Sequence, residues 1–193
     1  MRSPLSEALA ALGRALGKLG LRWYLFGAQA ALLYGAARLT ADIDVTVQLG
    51  NRETLDLVRA LEKAGFRLRV RDVGGFVAET RVLPLLHRSS GMPVDIVLAG
   101  PGIEELFFKR RRRRRIGGVP VPVASPEDLV VMKVLAGRGK DEDDAVAILA
   151  AQPRLGLDRI RETLEALERA LEQSDLRPRF ERLLVRARRP SSR

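Results

Sequence analysis

The chain has 193 residues, a net charge of +10, 46% apolar and 30% charged residues. These values describe one soluble domain, or a domain with a small helical appendage, and exclude a disordered polymer. There is no cysteine and a single histidine, His87, so disulfides, thiol catalysis and Cys-ligated metal centres are excluded, and a histidine cage or Ser-His-Asp triad has only His87 to build on.

The predicted elements alternate. Leu5, Leu9, Leu12, Leu16 and Leu19 recur at helical spacing, which predicts an amphipathic helix over 4–19. Arg22 to Phe26 reads as a short apolar strand, and the Ala-rich stretch from Gly27 to Ala37 as a helix starting directly after it. Ile43 to Leu49 alternates as a strand does. Asn51 is a predicted N-cap for a helix over 53–64 that stops at Gly65. Phe66 to Arg71 is a predicted strand, Gly74-Gly75 a turn, and Phe76 to Leu86 a β-rich stretch in which Pro84 marks a sheet edge. Ser89-Ser90-Gly91 predicts another turn, Pro93 to Leu98 a strand, and 102–109 a short helix. Val119 to Val123 is a strand that Pro120 and Pro122 push to an edge. Ser125-Pro126-Glu127-Asp128 is a strong helix start. Helices follow to about 136, over 140–150, over 157–173 and over 176–188. The fold class expected is α+β: a small mixed sheet flanked by helices, then a helical C-terminal segment. The expected boundaries are 1–124 for the core, 125–188 for the helical part and 189–193 for a disordered tail.

No apolar run is long enough to cross a bilayer. The N-terminal stretch has no apolar core of the signal-sequence kind, so a cytoplasmic location is expected. The positive charge is concentrated. Seven consecutive cations run from Lys109 to Arg115, and seven arginines against one glutamate lie between Leu176 and Arg193. Such blocks suit polyanionic partners. The chain also prefers arginine generally, 29 against 5 lysines, and that bias alone would produce solvated arginine surfaces.

Asp42 and Asp44 are two residues apart at the start of a predicted strand, so their carboxylates project to one side. Paired carboxylates repel unless a cation lies between them, and a divalent ion with a preference for hard oxygen ligands is the natural partner. Gly27, at a strand-to-helix junction, lets the backbone approach a ligand, and the helix start behind it offers N–H groups to an anion. Asp95, set between Val94 and Ile96, is either a third metal ligand or a base for an attacking hydroxyl.

Phe26-Gly27-Ala28, the spacing to Asp42-Ile43-Asp44-Val45 and the later Asp95 resemble the signature of the polymerase-β-like nucleotidyltransferase superfamily. Arg38 and Thr40, ahead of the Asp pair, fit its small bacterial members. Lys133, Ala136, Arg138, Lys140-Asp141 and Asp144 look like a block found in nucleotidyltransferases related to the toxin of the AbiE abortive-infection system. The resemblance implies a role for each residue. Asp42, Asp44 and Asp95 hold Mg²⁺, with Mn²⁺ as a substitute, and Asp95 helps deprotonate the acceptor. Gly27, Ala28, Arg38, Thr40, Arg138 and Lys140 bind the nucleotide. Lys133 contacts the triphosphate, and Asp141 orients a basic residue or the nucleotide. The implied activity is transfer of a nucleoside monophosphate from an NTP to a hydroxyl. The implied acceptor is RNA, the tRNA 3′ end first, met through Lys109–Arg115 and Leu176–Arg193, and an antitoxin protein is an implied partner. Ala28 stands where the family usually has Ser or Gly. That departure keeps two other readings open: a nucleotide- or RNA-binding module without turnover, and a transferase acting on a small-molecule or protein hydroxyl.

Overall fold

The structure, a computed structural model, describes residues 3–37 and 40–189. Arg38 and residues 190–193 of the expected tail 189–193 lie outside them. The chain divides into two units, Met1–Gln29 with Thr40–Ala124, and Ala30–Leu39 with Ser125–Arg193.

In the first unit, helix α1 (Pro4–Lys18) is capped by the Ser3 side chain, which accepts from the Ser6 N–H. Its leucine stripe is buried at Leu9, Leu12 and Leu16. Seven strands form one mixed sheet in the order β3-β4-β5-β2-β1-β7-β6. They are β1 (Arg22–Phe26), β2 (Ile43–Gln48), β3 (Phe66–Leu68), β4 (Val82–His87), β5 (Pro93–Leu98), β6 (Arg112–Ile116) and β7 (Val119–Val123). The helices between them are α2 (Gly27–Leu32), whose first residues belong to this unit, α3 (Thr54–Lys63), α4 (Val73–Thr80) and α5 (Glu104–Arg110). Directly opposed residues share a face of a sheet. Trp23, Leu25, Val45 and Val47 therefore form one face, against which α1 packs. Tyr24, Phe26, Asp44 and Thr46 form the other, where Phe108 of α5 meets Tyr24 edge-on at 4.9 Å.

Several expectations are corrected. The helix after β1 ends at Leu32, not Ala37. The N-cap position of α3 is Glu53, without a side-chain cap bond, and not Asn51. Gly74 and Gly75 lie inside α4 and form no turn, and the β-rich reading of 76–81 fails with them. The Asp72 carboxylate accepts from the Gly75 N–H at 2.9 Å, and this cap starts a helix that propensity alone does not favour. The strand from Phe66 stops at Leu68.

Pro84 and the prolines of β7 are in interior strands. The Pro84 carbonyl accepts from the Arg69 N–H at 3.0 Å. Its missing N–H thus faces β3 at the last pair of that ladder, so only the reciprocal bond to the Arg69 carbonyl is lost. In β7 the Ala124 N–H, on the same side of the chain as positions 120 and 122, bonds the Leu25 carbonyl at 2.9 Å. The blank nitrogens of Pro120 and Pro122 therefore face β1. Accordingly β1 and β7 share one register pair, Leu25 with Val123, while β6 and β7 share five.

His87 is 4% exposed, with Nδ1 at 2.7 Å from Ser90 Oγ and its ring against Phe66. Burial pulls its pKa below 6.5, Glu7 opposes this, and Arg14 adds to it. The neutral ring is the form the fold prefers, so stability is full above about 6.5 and falls as pH drops towards the folded-state value. Urea unfolding of the wild type should show a lower midpoint at pH 5 than at pH 7.5, with a smaller difference in His87→Gln.

In the second unit, α6 (Pro126–Ala136) packs against α7 (Gly139–Ala151), α8 (Leu157–Leu171) and α9 (Leu176–Arg188). Ser125 caps α6 as expected, accepting from the Asp128 N–H at 3.1 Å. Residues 30–37 join this unit through the Tyr34 carbonyl, which accepts from Gln152 at 3.3 Å. Phe180, Leu183 and Leu184 of α9 are buried with Ile160, Leu164 and Leu167 of α8.

Candidate active site

The end of β1, the start of β2 and the start of β5 converge in the first unit. Antiparallel pairing sets Phe26 opposite Asp44, and parallel pairing sets Asp44 beside Asp95. Both carboxylates therefore project from one face, on neighbouring strands about 4.8 Å apart. Gly27 follows at φ +68°, a left-handed conformation. A Cβ at Gly27 would lie 2.0 Å from Asp44 Oδ2. The strand-to-helix turn thus rests directly on the Asp44 carboxylate, and only glycine permits it. Ala28 is buried behind it.

Asp42 precedes β2 and is held by the Thr40 hydroxyl, which donates to Oδ1. The Thr40 carbonyl in turn accepts from Gln29 Nε2 at 3.2 Å. Thr40, expected at the nucleotide, is here the residue that orients Asp42, and Gln29 is a tether that the sequence reading missed. Arg69, just beyond β3, forms an ion pair with Asp95, and both are partly exposed. Arg69 was also missed. The alternation of Arg67, Arg69 and Arg71 across the predicted strand is the signal that could have pointed to it.

Three carboxylates supply the hard-oxygen donor chemistry that Mg²⁺ prefers, and Asp44 and Asp95 share a register position. The donor set fits a divalent ion. The arrangement here is looser than the expected three-carboxylate cluster: among the described residues no three acidic or histidine side chains are grouped to hold a metal. Asp95 meets the guanidinium of Arg69 instead.

The second block lies in the second unit. Lys133 is 5% exposed, and its Nζ donates to Asp141 Oδ1 at 2.8 Å and to Asp144 Oδ2 at 2.7 Å. Both aspartates are buried. Arg138 Nε also donates to Asp141, with most of the arginine side chain exposed. Burial alone pushes the Asp141 carboxyl up, but the hydrogen bonds from Arg138 and Lys133 outweigh it and hold its pKa below 3.8. The Lys133 ammonium expected at a triphosphate is engaged by two carboxylates that fasten α6 to α7. Lys140 is exposed at the start of α7.

The basic blocks differ from each other. Arg112 to Arg115 are exposed along the edge strand β6. In α9, Arg179 donates to the Val134 carbonyl and Asp175, and Arg186 pairs with Glu142 and Asp143. Those arginines serve the helical packing.

No family model matches the chain, and no curated protein does. Solved structures do. An antigenic nucleotidyltransferase-like protein from Paracoccidioides brasiliensis is 19% identical with a TM-score of 0.56, over 95% of this chain and 94% of that one. The antibiotic-resistance factor ANT(2'')-Ia is 18% identical with a TM-score of 0.59, over 89% and 95%. The lincosamide antibiotic adenylyltransferase LnuA, with lincomycin bound, is 15% identical with a TM-score of 0.52, over 77% and 98%. Likeness at this level of identity is likeness of fold, and the α+β fold of this chain is that of the nucleotidyltransferases.

Proposed function

We propose that the chain is a nucleotidyltransferase that moves a nucleoside monophosphate from an NTP to an acceptor hydroxyl and releases pyrophosphate. The observation that carries this reading is the Gly27 turn pressed on the Asp44 carboxylate, with Asp95 beside it in register. A turn able to approach phosphates and a set of carboxylates able to hold a cation thus occupy one strand end. The fold shared with an antibiotic-resistance factor and a lincosamide antibiotic adenylyltransferase supports it.

Asp42, Asp44 and Asp95 would hold Mg²⁺, which neutralises phosphate charge when bound. The chain's own residues do the rest. Gly27 and Ala28 present backbone N–H groups to the β- and γ-phosphates. Thr40 and Gln29 fix Asp42. Asp95, whose charge Arg69 meets in the resting chain, accepts the acceptor's proton. The acceptor oxygen then forms a bond to the α-phosphorus as the α–β bridging bond breaks, and pyrophosphate leaves with that electron pair. Arg138 and Lys140 are nucleotide-side cations in this reading. Lys133 and Asp141 act by holding the α6–α7 pair.

The acceptor proposed first is RNA, with the tRNA 3′ end foremost and an antitoxin as a partner in a toxin-type system. The exposed arginines of β6 support it. A small-molecule hydroxyl is the second reading, favoured by the fold neighbour that binds a lincosamide. Both arms belong in one assay, with each α-labelled NTP, Mg²⁺ or Mn²⁺, and either total tRNA or a panel of aminoglycosides and lincosamides. Label should enter one acceptor class with wild type. Asp44→Asn should lower the rate about 10²–10³-fold and Asp95→Asn about 10²–10⁴-fold, with unfolding midpoints near wild type. Binding of NTP with no transfer to any acceptor would favour the module without turnover, for which Ala28 is the mark.

A further inference from the structure

Where Pro120 and Pro122 prevent β7 from closing on β1, the sheet splits, and a cleft of about 780 Å³ opens between the two strands and α1. Its volume is in the range of small-molecule sites. Its apolar lining is Leu9, Leu21, Val121 and the indole of Trp23. Its cationic lining is Arg22, Arg111 and Arg113, which lie near one another, and Arg14 of α1. Arg22 is matched by a bidentate bond to Glu105. Arg14 and Arg113 form no ion pair with a carboxylate among the described residues, and both are exposed. Arg111 donates to the Phe108 carbonyl. Burial, then repulsion from Arg22 and Arg113, pulls its pKa down against the pull of Glu105. Like charges gathered at one concave surface repel each other, and an anion between them removes that cost. The cleft opens at the Arg22 end of β1, four residues or about 13 Å along the strand from Phe26 and the Asp44 site.

We propose that this cleft is a second binding site, separate from the carboxylates, that takes a nucleoside phosphate, either a free nucleotide or the terminal nucleotide of a strand. The arginines would meet the phosphate through bidentate contacts, and the apolar wall would take the flat base. The volume exceeds what inorganic phosphate fills, and the apolar part of the lining offers phosphate nothing. The proposal does not depend on transfer at Asp44.

Trp23 is the chain's sole tryptophan and lines the cleft, so its fluorescence reports occupancy directly. The intact chain, in EDTA, would be titrated with AMP, with a short 5′-phosphorylated RNA and with inorganic phosphate, each repeated by calorimetry to catch optically silent binding. A saturable response to AMP or to the RNA is expected, at concentrations at least tenfold below those for phosphate. The stronger of the two identifies the source. The Kd should rise at least tenfold in Arg14→Ala/Arg113→Ala, whose circular dichroism should match wild type, and stay unchanged in Asp44→Asn. The proposal is overturned if neither AMP nor RNA binds, if phosphate binds as well as they do, if the double variant binds normally, or if Asp44→Asn abolishes binding.

Discussion

Replacing Lys133 with alanine should cost about 3–5 kcal/mol of stability, read as a lower urea midpoint, because it removes the ammonium that two buried carboxylates share. Nζ lies within 2.8 Å of both Asp141 and Asp144, and none of the three side chains is more than 6% exposed. The low pKa of Asp141 gives the pair a pH signature. Its stabilisation is present above about 3.8 and is lost as pH falls through the folded-state value. A paired change, Lys133→Met with Asp144→Leu, should recover much of the loss, since it removes one buried charge of each sign and leaves Asp141 with Arg138. A lysine reaching a phosphate would behave otherwise. Its alanine variant would keep the wild-type midpoint and raise KM for the nucleotide alone.

Gly27→Ala should have the largest effect on the proposed reaction. The added methyl would lie 2.0 Å from Asp44 Oδ2, so the carboxylate or the turn must move. Alanine at φ +68° also costs about 1–2 kcal/mol in backbone strain. A displacement of about 1 Å at a reacting centre costs about 10²-fold, so transfer should fall by at least that factor while the unfolding midpoint falls by only the strain. A variant with normal transfer would remove the phosphate turn from the mechanism.

Much of the sheet was legible because its strands carry their own signals. Arg22–Phe26, Pro93–Leu98 and Val119–Val123 have the predicted limits. The failures have local causes. Val73–Thr80 contains two glycines and β-favouring Phe76 and Val77, and buries none of its residues, so neither propensity nor periodicity marks it as helix. The Asp72 cap that starts it is a tertiary detail. Pro84, Pro120 and Pro122 read as edge markers because a missing donor usually needs solvent. Here each faces a neighbour whose ladder is ending or has diverged, which requires the topology. At the candidate site, the order Gly27, Asp42, Asp44 and Asp95 was visible in the chain, whereas the closeness of Gly27 to Asp44 and the Arg69 partner of Asp95 depend on strand pairing. Lys133 was expected at a triphosphate and Asp141 as a residue that orients a basic residue or the nucleotide; a charged motif does not reveal whether its charges already face one another, as those of Lys133, Asp141 and Asp144 do.

The split between β1 and β7 also bears on how the first unit comes apart. The β6–β7 hairpin is zipped internally over five pairs but shares one register pair with β1, Leu25 with Val123, beside the Ala124 to Leu25 bond. β2, by contrast, is laced to a neighbour on each side over five register pairs. Within the sheet the hairpin is therefore joined at one end, with Val121 and Val123 buried towards α1, and its outer strand carries four consecutive exposed arginines that repel one another. In native-state hydrogen exchange its amides should exchange through a local opening well below the global free energy, while those of β1, β2 and β5 wait for the whole unit to unfold.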